Sequence, residues 1–399
     1  MRKFAAVSVM IALLSLSASA CTSDVKNIER INYATAIGVD YKDGEYYGYI
    51  QFIDLQSEAK TAEGNKSDAH ILIGESKGKT FEESFFNLYR TSQERIYWGH
   101  MTALLISDSA IKHGIDIILD SVTRYYEFRL TPYIFATRGS VKEILNVGGF
   151  YGQSSLSTLL HEPEGNYSQT SLIHSLRLHR LISDLHEPGF TTCIPTLAIN
   201  RKQWMDREKS KPMLYIDGAV FYQNESYRGY IPLKQLDGLR WIQEGAIRSG
   251  IAVPNSKEAS VHVVIENPTH KIKIVPGGGN TPQYDLHIRA VGFVTNRLTN
   301  EISEMSQLTE ATKAAIEEEI RGLHALSVKT KTDIFNLEYK LFRNRYKLWK
   351  SNAAARNSVF ESDSLRNIEI DLNIRNTGSL KNRVSKPVKL NDGKGEIQQ

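Results

Sequence analysis

Met101-Thr102-Ala103-Leu104-Leu105-Ile106 is an apolar run without polar–apolar alternation, so it reads as a short strand buried on both faces. The period then changes. From Ser109 to Tyr125, Ile111, Ile115, Ile118, Leu119 and Val122 recur at helical spacing and form one apolar stripe. Pro132 to Ala136 returns to strand character, and Ser140 to Leu145 makes a short helix. Upstream, His70 to Ile73 is a strand. Thr80-Phe81-Glu82-Glu83 opens a helix with a capping-box arrangement, carrying Phe81, Phe85, Leu88 and Tyr89 on one side. Strands alternating with helices give an α/β layer with some parallel pairing.

Toward the N-terminus, Tyr33 to Val39 and Tyr46 to Leu55 pair across Asp43-Gly44, which supplies the positive φ of a tight hairpin. Residues 56–69 read as an exposed loop, and Thr170 to Leu185 as helical. Beyond Pro188, Ile194 to Ile199 and Met213 to Tyr222 are strands, and Leu236 to Glu244 is a short helix. Val261 to Glu266 and His270 to Val275 read as a hairpin, followed by Gly277-Gly278-Gly279-Asn280 as a link and a long strand from Gln283 to Thr295. From Glu301 to about Trp349 the pattern is helical. Ile302, Met305, Leu308, Thr312, Ala315, Ile316 and Ile320 make its apolar face, and Glu317-Glu318-Glu319 face the other way. Asn367 to Ile374 alternates as a last strand.

The fold class is therefore α/β and α+β, multidomain, with mixed sheets packed with helices and a long amphipathic helix in the C-terminal domain. The organisation expected is a signal peptide at 1–20, a lipidated Cys and tether at 21–32, and an N-terminal α/β domain at 33–187. A middle domain at 188–259, a C-terminal α/β domain at 260–379 and a polar tail at 380–399 complete it.

The 399 residues, 41% hydrophobic, carry enough apolar material for folded cores, which excludes a disordered chain. With 49 Lys+Arg against 45 Asp+Glu the charge is nearly balanced, which argues against a dedicated nucleic-acid binder. A mean hydropathy of −0.34 excludes a polytopic membrane protein. Arg2 and Lys3, the apolar run Phe4 to Leu16 and the small residues Ser17-Ala18-Ser19-Ala20 lead to Cys21. This is the lipobox pattern, in which Cys21 is acylated and anchors the chain; ordinary cleavage after Ala20 fits the same residues. Cys193 is then the remaining cysteine, without a disulfide partner, and reads as a small buried hydrophobe.

Catalytic chemistry is not visible. There is no metal-ligand spacing, no Gly-x-Ser-x-Gly elbow and no P-loop. His100, just before the buried strand, lacks an accompanying nucleophile and takes a structural or interface role. His174 and His179 are spaced poorly for two ligands, and His161-Glu162 and His186-Glu187 each precede Pro and read as loop starts. Glu82-Glu83 and Glu317 to Glu319 read as solvated helix faces. The triple glycine, flanked by Pro276 and Pro282, is no nucleotide loop. No catalytic residue, metal ligand or cofactor is expected, and the chain is expected not to be an enzyme.

These residues, taken in order, resemble the Ger(x)C family of lipoprotein C-subunits of nutrient germinant receptors. The resemblance lies in Ala36-Ile37-Gly38-Val39-Asp40, in His100 through Ile106, in Ala110 through Ile115, and in Leu119 through Arg124. It continues in Thr332-Asp333-Ile334-Phe335, with Trp349 downstream, which match the family's C-terminal helix, and in Ile374 through Gly378. The family's Trp and charged cluster directly after the Cys are replaced here by Thr22-Ser23-Asp24. The resemblance implies a lipid-anchored protein on the outer face of the spore inner membrane, assembling with integral-membrane A- and B-type receptor subunits in germination. It implies no nucleic acid, and small-molecule germinant only indirectly. His100, Asp333, Phe335 and Trp349 become candidate structural or interface residues. A lipid-anchored solute-binding protein, with a ligand cleft between lobes, is the alternative.

Overall fold

The computed structural model describes residues 31–53, 70–125, 127–254, 261–275, 282–297, 304–354 and 360–375. The signal peptide, Cys21, most of the tether, the exposed loop, the triple-glycine link and the polar tail lie outside the described residues.

The first sheet is built around parallel strands. β1 (Ile31–Lys42) turns through Asp43 and Gly44, both at positive φ, into β2 (Glu45–Ile53), which pairs antiparallel with β3 (Ile71–Gly78). The helix α1 (Phe81–Tyr89) starts at Thr80, whose hydroxyl accepts from Glu83 N, while the Glu83 carboxylate accepts from Lys79 N. β4 (Arg95–Tyr97) lies beside β1; β5 (Ala103–Ser107) is buried at every position. Then come α2 (Asp108–Arg124), β6 (Tyr133–Thr137), α3 (Val141–Leu145) and α4 (Pro163–Gln169), followed by β7 (Leu176–Arg177) and α5 (Leu178–His186). β8 (Thr191–Asn200) is joined to β11 (Met213–Gln223) through the small ribbon β9 (Met205–Asp206) and β10 (Lys209–Ser210), and β12 (Ser226–Pro232) closes the edge. The order is β12-β11-β8-β6-β5-β1-β2-β3, with α1, α2 and α5 packed on one face and α3 on the other.

The second sheet has the order β13-β14-β15-β16, from β13 (Arg248–Val253), β14 (Val261–Val275), β15 (Gln283–Arg297) and β16 (Leu365–Arg375). β16 runs parallel to β15, so the chain must cross over between them. That crossover is α6 (Met305–Thr330), α7 (Leu337–Asn344) and α8 (Tyr346–Ala354). α6 buries Leu308, Thr312, Ala315, Ile316 and Ile320 against the sheet, the stripe read from sequence.

Three expectations are corrected. Among the described residues of 188–259, only the small β9–β10 ribbon stands apart: β8, β11 and β12 extend the first sheet, and β13 belongs to the second. Pairing partners are not written in a strand's own sequence; β8 reaches its place by parallel contact with β6 at Ala136 and Thr196. Second, the hairpin expected over 261–275 is one strand. Asn267-Pro268 looks like a turn, but Asn267 takes φ 47° and the register against β15 slips between Glu266 and Thr269. The chain bulges and continues. Third, the helix expected over 170–185 begins only at Leu178. The preceding segment is held by tertiary bonds: Ser171 N donates to Arg248 O, and Ser171 Oγ accepts from Ile247 N and Arg248 N. A further helix, α4, starts on Pro163, a position suited to proline because its missing N–H is not needed there.

Candidate functional site

Among the described residues, two buried polar clusters and a cleft between the sheets bear on function.

The first cluster lies on the α3 face of the first sheet. Gln51 on β2 donates through Nε2 to Leu145 O, so its Oε1 is the acceptor. It receives the Thr35 hydroxyl at 2.8 Å and His161 Nε2 at 2.9 Å. His161 Nδ1 is therefore the unprotonated nitrogen, and the Thr102 hydroxyl donates to it. Burial pushes the His161 imidazole down to about 3, so it stays neutral. His161 is thus a structural member of the interior rather than the start of a loop. Its neighbour Pro163 concealed this, because the bonding partners lie 59 and 110 residues away.

The second cluster corrects the reading of Glu319 as a solvated residue. The Glu319 side chain is only 6% exposed and forms an ion pair with Arg240. Trp241 Nε1 donates to Glu319 Oε2 at 2.6 Å, and Arg240 Nη1 donates to Gly250 O at 2.9 Å. Gly238 lets this turn approach α6: a Cβ there would lie 2.4 Å from Glu319 O.

α7 joins the two sheets. Asn336, its N-cap residue at φ 55°, accepts through Oδ1 from Thr191 N of β8 at 2.6 Å. Gln223 Nε2 of β11 donates to Glu338 Oε2 at 3.1 Å, and Trp349 Nε1 to Glu338 Oε1 at 3.3 Å. Asp333 Oδ2 accepts from Glu338 N at 2.7 Å, while Oδ1 has no partner among the described residues. Asp333 is fully buried, and burial pushes its carboxyl up to about 7 against these backbone N–H groups. The segment Thr332 to Phe335 is the turn before α7, not part of a helix.

Asp333, Phe335 and Trp349 are therefore brought together around α7. His100 is elsewhere, exposed on the turn before β5, with its ring centroid 5.0 Å from Tyr33 and 5.7 Å from Tyr97.

Under α7 lies a cleft of about 640 Å³ whose lining includes Arg180, Phe190, Thr191, Cys193, His270 and Lys340. Asp184, only 7% exposed at its side chain, pairs with Arg180 at 2.8 Å; burial outweighs this partner and raises its carboxyl to about 7. Burial lowers Lys340, and burial together with the nearby Lys340 charge lowers His270. Burial raises the Cys193 thiol to about 12, which keeps it a thiol rather than a nucleophilic thiolate. Sequence reasoning missed Lys340 and His270, which sit in separate elements. The one available signal was the polar stripe of α7, at spacings 3, 4, 7 and 8 from Asn336. Among the described residues no group of three or more His, Cys, Asp or Glu is placed to hold a metal ion.

Comparison with known proteins identifies the family. Residues 24–199 match the spore germination protein N-terminal domain, and residues 216–378 the spore germination B3/GerAC-like C-terminal domain. Spore germination protein B3 of Bacillus subtilis is 23% identical over 278 residues, covering 68% of this chain and 70% of that protein. Spore germination protein A3 of the same organism is 31% identical over 129 residues, covering 31% of this chain and 33% of that protein. The crystal structure of the GerBC protein superposes with a TM-score of 0.52 at 15% identity, covering 89% of this chain and all of that one, so the fold is shared.

Proposed function

Since the chain belongs to the GerAC-like family of spore germination proteins, we propose that it is the lipid-anchored C-subunit of a nutrient germinant receptor. It works through protein–protein contacts on the outer face of the spore inner membrane, beside integral-membrane A- and B-type subunits. The observation that carries this reading is the pair of family matches, which follow one another over most of the chain. Cys21, after Ser17-Ala18-Ser19-Ala20, supplies the anchor. None of the described helices is long and apolar enough to cross a membrane, and in this reading acylation at Cys21 supplies the attachment. Assembly and signal relay, rather than turnover, are its function.

Replacing Cys21→Ala in spores tests the reading. The expected result is loss of the protein from the membrane fraction together with a slowed response to one class of nutrient. Unchanged fractionation and response would contradict it.

The cleft of about 640 Å³ favours a second reading, a lipid-anchored solute-binding protein. That reading predicts ligand-dependent stabilisation of the isolated chain of about 2.7 kcal/mol at a hundredfold excess over Kd.

A further inference from the structure

The helix α7 gives the cleft a polar wall. Leu337 and Leu341 point into the core and are almost fully buried. Asn336, Tyr339, Lys340, Arg343 and Asn344, at helical spacing, line the cleft instead. Tyr339 meets Phe190 of the first sheet edge to face, with centroids 5.0 Å apart, and Phe335 adds a second apolar surface.

The cations of the cleft divide into two sets. Arg180 is taken by Asp184, and Arg177 donates to Thr131 O and the Tyr133 hydroxyl. Lys340 Nζ, the His270 ring and the Arg343 guanidinium have no hydrogen-bond or ion-pair partner among the described residues. Thr191 Oγ1, buried at the same wall, is likewise without a partner. The Glu244 carboxylate acts on both Lys340 and His270 through its charge but forms an ion pair with neither among the described residues, so both keep hydrogen-bonding capacity that a bound anion can take up. Glu164, Asp184 and Glu244 also line the cleft, which disfavours a multiply charged ligand. The volume falls within the range of small-molecule sites.

We propose that this cleft binds a small monocarboxylate with an apolar body, the carboxylate between Lys340 and His270 and the body against Phe190, Phe335 and Tyr339. The site stands on the cleft alone and does not depend on the receptor reading; its failure would leave that reading untouched.

The test is thermal and calorimetric titration of the full chain with phenylacetate, with its neutral isostere phenylacetamide and with inorganic phosphate. Phenylacetate should give a saturable rise in Tm. Phenylacetamide, and phenylacetate on the Lys340→Gln variant, should each bind at least about tenfold more weakly, as expected for loss of one charge-assisted contact. Lys340→Arg should retain binding, and both variants should keep the unliganded Tm. Absence of a saturable shift, equal binding of the amide, or unchanged affinity in Lys340→Gln would overturn the proposal. Tighter binding of phosphate than of phenylacetate would overturn the carboxylate assignment. Should Lys340→Gln unfold, His270→Gln serves as the second variant, with the same loss expected.

Discussion

The His161 cluster in the first sheet and the α7 wall between the sheets are both polar, the first buried and the second half-buried to exposed, and they are wired differently. Around His161 the ring nitrogens and the Gln51 amide find partners, and the imidazole is held neutral. Around α7, Asp333 Oδ1 and Thr191 Oγ1 have no partner among the described residues, and the Lys340 and His270 side chains make no hydrogen bond there and feel Glu244 only through its charge. A closed network fixes a sheet and resists change. An open one keeps binding capacity in reserve, which is why the cleft and not the interior cluster is read as the place where the molecule meets something else.

The largest effect should come from breaking a closed network that carries charge. Arg240→Met strands the Glu319 carboxylate in a buried site and should cost about 3–5 kcal/mol, read by urea unfolding. A cost below about 1 kcal/mol would show that this pair is solvated and not part of the closed set.

His161→Leu should come next. It leaves Gln51 Oε1 with one fewer donor and the Thr102 hydroxyl without its ring acceptor, for about 1–3 kcal/mol.

The pH profile separates the two regions more sharply. An unfolded histidine takes up a proton near 6.5, whereas folded His161 resists down to about 3. The unfolded state therefore binds more protons across that window, and stability is lost as pH falls through it. Asp333 works in the opposite sense. Folded, it holds its proton to about 7, against 3.8 unfolded, so its contribution is present at low pH and lost as pH rises toward 7. His161→Leu should reduce the first slope, which His270 and His324 share, and Asp333→Asn the second, which Asp184 shares, each leaving the other intact. Loss of both slopes in either variant would show that the regions are coupled.

The smallest effect belongs to the open wall and the surface. Lys340→Gln and His100→Ala should each change stability by no more than about 0.5 kcal/mol, because neither side chain completes a buried network.

How much was legible in the sequence follows the same division. The β1–β2 hairpin, the α1 and α2 stripes, the buried β5 and the apolar face of α6 were readable, because period and caps are local properties. The assignment of β8 and β11 to the first sheet was not, since it depends on pairing between strands distant in the chain. Asn267-Pro268 misled for a related reason: the neighbouring strands keep the chain extended across a local turn signal. Asp333, Phe335 and Trp349 were found through the family resemblance and do converge on α7. Lys340 and His270 share a cleft only once the two sheets are docked. Glu319 was taken for a solvated residue because two glutamates precede it, and its partner Arg240 lies 79 residues away.

The most direct measurement is affinity capture of the tagged chain from dormant spore inner membrane, with identification of what accompanies it. The receptor reading predicts stoichiometric recovery of a polytopic transporter-like subunit and a multidomain A-type subunit. Recovery of the chain alone, or with the permease of an importer, would contradict it.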